Sequence, residues 1–303
     1  MARLAIKIDV DTDRGTREGV PRLLEVLQRH EVSATFLFSL GPDNTGKAIR
    51  RIFRPGFLQK VRRTNVAGNY GLRTLMNGTL LPAPKIGERN ADVMRSVRDA
   101  GFSIGIHCWD HFQWQDYLHD MSTVGIRNEF QRACDEFQRI FDEPAQSCGA
   151  PGWQCNERAL AAYDNAGLLW ASDSRSDGSL PTAFFPKWEG EVFKTLHIST
   201  TLPTLDELMG RPEYPDDSIN DHYLKLLQKG GDCVHTIHAE LEGLHYAKMF
   251  EDLIVRAKAA GVTFFDLDDY AKELLQAPEK LPVCDITLGE VDGRSGTVTV
   301  QKS

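Results

Sequence analysis

The sequence has no apolar run long enough to cross a bilayer. A membrane-spanning helix needs about 20 consecutive apolar residues, and no stretch approaching that length is present. The opening residues, MARLAIKIDV, pass almost directly into a strand-like pattern. They lack the apolar region and the small-residue cleavage site of a signal peptide. The sequence therefore predicts neither a transmembrane helix nor export.

Cysteine pairs of the C-x-x-C type are also absent, although the chain contains six cysteines. A chain of 303 residues can bury a large core without disulfide bonds, so scattered cysteines predict reduced thiols in a cytosolic protein. The glycine-rich dinucleotide fingerprint and the P-loop are missing as well, which argues against the nucleotide-binding folds that these motifs mark.

Positive charge is scarce overall but concentrated in one segment. The formal net charge of −8 predicts no general nucleic-acid binding. Residues 44–87 nevertheless carry nine basic residues and no acidic one. Within them, residues 47–63 mix cations with Ile, Leu and Phe side chains, which suits contact with an anionic membrane surface. A solvated insertion that caps the fold is the alternative.

Short apolar runs alternate with helical periodicity along most of the chain. Strands are predicted within residues 3–10, 33–40, 102–107, 146–150, 168–173, 191–196, 232–239 and 262–267, and helices within 20–27, 91–101 and 126–140. Repeated strand–helix units without a long linker predict an α/β barrel or a doubly wound sheet. After residue 276, ITLGEVDGRSGTVTVQ is typical of a small β-hairpin.

Polar residues cluster where the predicted strands end. The set comprises Asp9, Asp11, His107, His111, Pro151 to Trp153, Asp173, His238 and Glu240. In a βα barrel the reactive residues gather at the C-terminal ends of the strands. This coincidence favours the barrel over the open sheet.

Two spacings in this set indicate a metal site. Asp9-Val10-Asp11 brings two carboxylates together, which is costly unless a cation or a shared proton compensates. His107 and His111 can converge on one ion if a turn of helix begins between them. Two imidazoles and one carboxylate leave room for water and substrate, as a catalytic metal requires. Taken singly, the aspartate pair also suits a helix cap or a solvated loop, and an H-x-x-x-H pair alone is a weak signal.

A distant histidine can complete the chemistry. Hydrolysis of an amide needs a base to take a proton from water and an acid to protonate the leaving amine. One aspartate can serve as the base while the other holds the ion, and His238 can serve as the acid. A structural histidine in the barrel is the alternative for His238, and we interpret His235 as structural. Glu240 and Glu242 can bind substrate or orient His238, and a plain loop role is the alternative for Glu242.

These motifs resemble the polysaccharide deacetylase, or NodB-homology, family over about residues 3–275. The resemblance implies a distorted (β/α)7-type barrel over residues 1–275, with the basic insertion at about 44–87 and a tail at 276–303. It implies a hydrolase that removes acyl groups from amino sugars with a divalent metal: zinc, manganese or cobalt. The implied roles are base for Asp9, metal ligand for Asp11, His107 and His111, and acid for His238. We expect substrate contacts from Arg14, Arg17, Trp153, Asp173, Arg175 and Glu240.

One branch of this family is similar in five blocks, namely IDVDTDRGTREGVPRLLEVL, FSLGPDN, GIHCWDHFQWQD, TLPTLDELMGR and TIHAELEG. Members of that branch remove the formyl group from 4-deoxy-4-formamido-L-arabinose linked to undecaprenyl phosphate, in the lipid A modification that confers polymyxin resistance. The resemblance implies a lipid-linked amino-sugar substrate and a peripheral position on the inner face of the cytoplasmic membrane. The alternatives are a chitooligosaccharide or peptidoglycan deacetylase of the same family, and an inactive barrel that binds lipid-linked sugar.

The chain departs from the family pattern in two places. Many members have an arginine in the third motif that orients the base, whereas CGAPGWQCN has Gly149 there. Arg14, Arg17 and Arg175 are the candidates to replace that arginine. The first motif, usually two adjacent aspartates, is spaced here as D-V-D.

Overall fold

The computed structural model describes residues 2–53 and 66–302. The strands are β1 (Ala2–Val10), β2 (Thr35–Ser39), β3 (Ser103–Cys108), β4 (Ser147–Cys148), β5 (Trp170–Ala171), β6 (Ala183–Trp188), β7 (Glu191–Val192), β8 (Leu196–Ile198), β9 (Gly231–His238), β10 (Thr263–Phe264), β11 (Val283–Glu290) and β12 (Thr297–Gln301). The α-helices are α1 (Val20–Arg29), α2 (Val66–Tyr70), α3 (Ile86–Asp99), α4 (His111–Tyr117), α5 (Thr123–Phe141), α6 (Glu157–Ala166), α7 (Leu205–Leu208), α8 (Ile219–Leu227), α9 (Ala247–Ala259) and α10 (Leu267–Leu274). Short 3-10 or π turns cover Gly15–Gly19, Thr45–Phe53, Thr74–Met76, Leu118–Asp120, Pro151–Trp153, Asp216–Ser218, Leu241–His245 and Pro278–Lys280.

Parallel strands curl into a ring in the order β9, β1, β2, β3, β4, β5 and β8. The backbone N–H groups of Thr201 and Leu202, just beyond β8, donate to the carbonyl of Val234 on β9 at 3.0 and 3.1 Å. These bonds bring the two ends of the ring together. The predicted α/β barrel-type fold is therefore confirmed.

Alternation along β1 divides the apolar core into two layers. Ile6 and Ile8 belong to the large cluster that packs between the strands and the outer helices. Ala5 belongs instead to a smaller cluster on the other face of β1, together with Leu37 and Val234 from its two neighbouring strands. Lys7 and Asp9 follow Ala5 on that inner face because side chains alternate along a strand. The strand thus carries charged groups into the ring.

The predicted strand at 191–196 is wrong in its extent. Residues 191–192 form β7, a short partner of β6, and the ring strand β8 begins at Leu196. The sequence pattern also missed β6, which contains Pro186 and runs antiparallel to β8. Proline lacks a backbone donor and weakens the strand signal.

The C-terminal strands β11 and β12 form an antiparallel pair, and β11 also lies parallel to β6. β12 reaches the end of β5 as well. There the N–H of Arg175 donates to Thr299 O at 2.9 Å, and the N–H of Gln301 donates to Arg175 O at 2.9 Å. Backbone hydrogen bonds therefore join the tail to the segment that carries Arg175.

The described part of the basic insertion lies at the C-terminal end of the ring strands. Asn44 donates through Nδ2 to Asp110 Oδ2 at 2.6 Å, and Asp110 is the residue that caps α4. Arg14, in the loop after β1, donates through Nη1 to Asn69 O at 3.2 Å. These contacts fix the insertion beside the loops that follow β1 and β3. Most of residues 47–63 lies outside the described residues.

Candidate metal centre and active site

Two ring strands that flank β2, namely β1 and β3, deliver the four central side chains at or just beyond their C-terminal ends. Asp9 lies on β1, and Asp11 follows directly after that strand. His107 lies near the end of β3, and His111 is the first residue of α4. The Asp110 side chain accepts the N–H of Gln113 at 3.1 Å, which starts the helix at this point. The helix start turns His111 back toward His107, and their ring centroids lie 5.2 Å apart.

Asp11 lies between the two imidazoles. Its Oδ1 is 3.2 Å from His107 Nε2, and its Oδ2 is 3.5 Å from His111 Nε2. One ligand atom from each of these residues lies within 4.8 Å of the others. Asp11 Oδ1 is buried without a hydrogen-bond partner. Two imidazole nitrogens and a carboxylate at this spacing fit a divalent cation with open coordination positions.

The charges in this group support one another. Burial acts to raise the pKa of Asp11, but His111 and His107 outweigh it and hold that pKa well below its usual range. Burial acts to lower the pKa of His107, but Asp9 and Asp11 outweigh it and raise that pKa above its ordinary value. Asp11 thus stays ionised beside the imidazoles, and its negative charge favours a cation at the same position.

Asp9 has a different set of neighbours from Asp11. Its Oδ2 is 3.4 Å from the ammonium nitrogen of Lys7, and its Oδ1 is 3.9 Å from His107 Nδ1. Oδ1 is buried without a hydrogen-bond partner. Arg14, Arg17 and Arg175 form ion pairs with Glu18, Asp13 and Glu207, respectively. The cation beside Asp9 is therefore a lysine from its own strand, which the sequence pattern did not single out.

His238 lies beside Asp9 across the β1–β9 pairing, at the same level of the two strands. Its backbone N–H donates to Glu242 Oε2 at 2.9 Å. Burial raises the pKa of Glu242 to about 7, although the charge of His238 acts in the opposite direction. His235, by contrast, packs against Tyr223 of α8 with ring centroids 4.6 Å apart. Thus β9 places His238, but not His235, on the face that it shares with Asp9.

Glu240 is buried beneath the loop that carries Asp11. Its Oε1 accepts hydrogen bonds from the N–H of Asp11 at 3.1 Å and from the N–H and hydroxyl of Thr12 at 2.8 Å each. A Cβ at Gly15 would lie 1.9 Å from this oxygen, so the close approach requires glycine. Burial, reinforced by the charge of Asp11, raises the pKa of Glu240 well above its usual range. In this position Glu240 fixes the backbone of the loop.

The remaining predicted substrate contacts fall into two groups. Arg14 and Arg17 lie on the Gly15–Gly19 turn or just before it, and their side chains are partly open to solvent. Trp153, Asp173 and Arg175 are buried. Asp173 accepts the N–H of Ala150 at 2.6 Å through Oδ1.

Arg175 forms a buried ion pair with Glu207. It also stacks over the Trp153 ring at 4.6 Å, and Arg294 of the tail contacts the same ring at 4.6 Å. The Trp153 indole donates to Thr200 Oγ1 at 3.2 Å. These contacts hold the Pro151–Trp153 turn in place.

Comparison with known proteins decides the family. The sequence profile of polysaccharide deacetylases matches residues 10–170. The chain belongs to the polysaccharide deacetylase family. The family predicted from the sequence is therefore confirmed, and with it an enzyme that hydrolyses an amide bond.

Individual relatives extend the match over the whole chain. A probable 4-deoxy-4-formamido-L-arabinose-phosphoundecaprenol deformylase ArnD of Shewanella sediminis is 37% identical over 304 residues, covering 100% of this chain and 96% of the relative. A relative of the same description from Wigglesworthia glossinidia brevipalpis is 32% identical, covering 95% and 98%. The crystal structure of a probable polysaccharide deacetylase from Pseudomonas aeruginosa PAO1 superimposes with a TM-score of 0.60 at 17% identity, covering 91% and 93%. That structure supports the fold alone.

Two further features of the described residues concern metal binding and membrane spans. Asp11, His107 and His111 form a group able to hold a metal, as members of this family generally require. None of the described helices is both long and apolar enough to cross a membrane.

Proposed function

We propose that this enzyme removes the formyl group from 4-deoxy-4-formamido-L-arabinose linked to undecaprenyl phosphate. In this proposal the product amine serves lipid A modification and polymyxin resistance. The observation that carries the proposal is the match to a relative of that description along the full length of both chains. A profile match alone would support any carbohydrate deacetylase.

Asp11, His107 and His111 would hold the divalent cation, for which zinc, manganese and cobalt all suit the donor set. When bound, the cation polarises the amide carbonyl and makes water a better nucleophile at neutral pH. The short Asp11–imidazole distances support this assignment. Asp11 keeps its negative charge because both imidazoles face it.

Asp9 acts as the general base in this proposal. Its buried, unpartnered Oδ1 accepts a proton from the attacking water. The oxygen of that water bonds to the formyl carbon, and the C–N bond then breaks. His238, in register with Asp9 on the neighbouring strand, gives a proton to the departing amine. Formate and the free amino sugar are the products. Glu242 accepts the backbone N–H of His238 at 2.9 Å and so fixes the end of β9 that carries the imidazole.

The phosphate and lipid of the substrate would lie toward the basic insertion. Arg14 and Arg17 are partly open to solvent in the loop after β1, where they can pair with a phosphate. Ile49, Leu72 and Leu80 in the insertion are 64%, 72% and 82% exposed. Exposed apolar side chains among cations suit the interface of an anionic membrane. We therefore place the enzyme on the inner face of the cytoplasmic membrane, with residues 47–63 contributing to the contact.

The decisive experiment measures formate release from the undecaprenyl-phosphate-linked formamido sugar. The metal-loaded enzyme is compared with its Asp11→Ala and His107→Ala variants. Formate released by the wild type and lost in both variants supports the reaction and the site together. Cleavage of an acetylated amino sugar without formate release contradicts the substrate and retains the family chemistry. No cleavage of either at any metal loading would indicate a barrel that only binds lipid-linked sugar.

A further inference from the structure

Strand β1 carries a buried lysine to which the proposed reaction gives no role. Lys7 is fully buried, and a buried lysine is rare and costly unless it is paired. It occupies the middle of β1, where the neighbouring strands β2 and β9 flank it on both sides. A residue with an apolar side chain would fill this position at lower cost, so the charge calls for an explanation.

Three groups surround the ammonium nitrogen of Lys7. Asp9 Oδ2 lies at 3.4 Å, and the carbonyl oxygen of Ser172, just beyond β5, also lies at 3.4 Å. The centre of the Trp153 ring lies 5.4 Å away, within the range of a cation–π contact. The ammonium is thus held from three sides, and the carboxylate among these three groups belongs to Asp9.

Gly149 lies beside the ammonium of Lys7. A Cβ added at Gly149 would lie 2.6 Å from Leu37 Cδ1, 3.3 Å from Lys7 Nζ and 3.5 Å from Ser172 O. A side chain at position 149 would therefore point at the place where the ammonium lies. Gly149 is also the position where the family resemblance implies an arginine directed at the base. Arg14, Arg17 and Arg175, the candidates from the sequence, pair with carboxylates other than Asp9.

We propose that Lys7 is the positioning residue for Asp9, and that it supplies from the same strand the positive charge that the third motif lacks. The proposal rests on the proposed function in that it takes Asp9 as the base. Lys7 holds one oxygen of the carboxylate, Oδ2, and so keeps the other, Oδ1, facing the imidazole of His107, 3.9 Å from its Nδ1. Lys7 also keeps Asp9 on the Nδ1 side of the His107 ring. Asp11, on the Nε2 side, is then the carboxylate ligand of the cation.

Two substitutions separate the charge of Lys7 from its volume. Lys7→Met keeps an unbranched side chain of similar length without the charge, and Lys7→Arg keeps the charge. We expect kcat of the Met variant to fall about 10- to 100-fold, the usual effect of removing a group that orients another. KM should change less than threefold, and the Arg variant should be at least tenfold faster than the Met variant. Equal rates for the wild type and the Met variant, or an Arg variant no faster than Met, would overturn the proposal.

A binding measurement distinguishes positioning from a loss of structure. Titration with Co²⁺, followed by calorimetry, should give the Met variant an affinity at least equal to that of the wild type, because a positive charge near the site is gone. A loss of Co²⁺ affinity in parallel with kcat would show that Lys7 supports the fold rather than Asp9, and would overturn the proposal.

Crystal structures decide the matter even if the wild type cleaves no amide, an outcome that would contradict the proposed function alone. In the Met variant the Asp9 carboxylate should leave its wild-type orientation, and in the Arg variant it should keep it. An Asp9 carboxylate that is unmoved in the Met variant would overturn the positioning role.

Discussion

Protonation of His235 should destabilise the folded protein in acid. Burial, together with the charges of Arg175 and His238, lowers the pKa of His235 from 6.5 to about 3. Its Nδ1 has no hydrogen-bond partner. The unfolded chain therefore binds a proton near pH 6.5, whereas the folded protein binds it near pH 3. The stability that neutral His235 permits is fully present above pH 6.5 and is lost as the pH falls toward 3.

The size of the effect follows from the two pKa values. At pH 5 the unfolded histidine lies about 1.5 pH units below its pKa, and the folded histidine is still neutral. At about 1.4 kcal/mol per unit, the loss of unfolding free energy from His235 alone is about 2 kcal/mol relative to pH 8. Replacing His235 with phenylalanine keeps an aromatic ring beside Tyr223 and removes the titration. The variant should lose about 2 kcal/mol less than the wild type between pH 8 and pH 5.

Guanidinium unfolding, followed by the fluorescence of the buried tryptophans, measures this difference. A chelator in every sample removes any contribution from metal release. Other groups titrate equally in both proteins, so the comparison isolates His235. The exposed His119, substituted by glutamine, provides the control and should follow the wild type. If His235→Phe and the wild type lose the same free energy in acid, the folded protein accommodates the charged imidazole and our reasoning is refuted.

Three further predictions concern the site, the ion pair behind it and the surface. Asp11→Asn should abolish tight Co²⁺ binding and hydrolysis, whereas Asp9→Asn should abolish hydrolysis and keep Co²⁺ binding; calorimetry that gives the reverse pattern would exchange the two roles. Arg175→Met removes one of two arginines that pair with the buried Glu207 carboxylate, since Arg294 Nη1 also lies 3.3 Å from Glu207 Oε1, so we expect a loss of about 1.5–3 kcal/mol in denaturant unfolding; a loss below about 0.5 kcal/mol would show that Arg294 alone is enough to compensate the carboxylate. Leu80→Asp should weaken co-sedimentation with vesicles of phosphatidylglycerol and phosphatidylethanolamine, and Val192→Asp, exposed on β7, should not; equal effects would argue against a membrane contact through the insertion.

Sequence patterns located most ring strands because their physical signal is local. Apolar runs such as ATFLFS and FSIGIH became β2 and β3, and the glycine and polar residues around them marked their ends. The spacing of His107 and His111 also predicted their convergence, since the helix that brings them together begins between them. These features can be predicted because they depend only on residues that are close together in the sequence.

Other features depend on partners that are remote in sequence. Lys7 in RLAIKIDV looks like a solvated interruption of a strand, and its role appears only when Ser172 and Trp153 lie beside it. The three hydrogen bonds that Glu240 Oε1 accepts from the loop after β1 were not predicted either, and the substrate contact of Glu240 stays a prediction. The pairing of β11 with β6 was likewise not predicted, because Pro186 and a short antiparallel strand gave no clear pattern. Packing, rather than propensity, determines each of these.

The pairing of β1 with β9 also sets an order on folding. It joins parts of the chain that are 229 residues apart, as the Asp11–Glu240 bond does. Contacts across such a separation form slowly, because a long loop must close first. Until β9 arrives, β1 has an unpaired edge, and an exposed edge of an apolar strand invites association with other chains. A chain that ends before Gly231 would keep the metal ligands but lack the general acid His238. We expect such a chain to aggregate rather than fold into a metal-binding fragment.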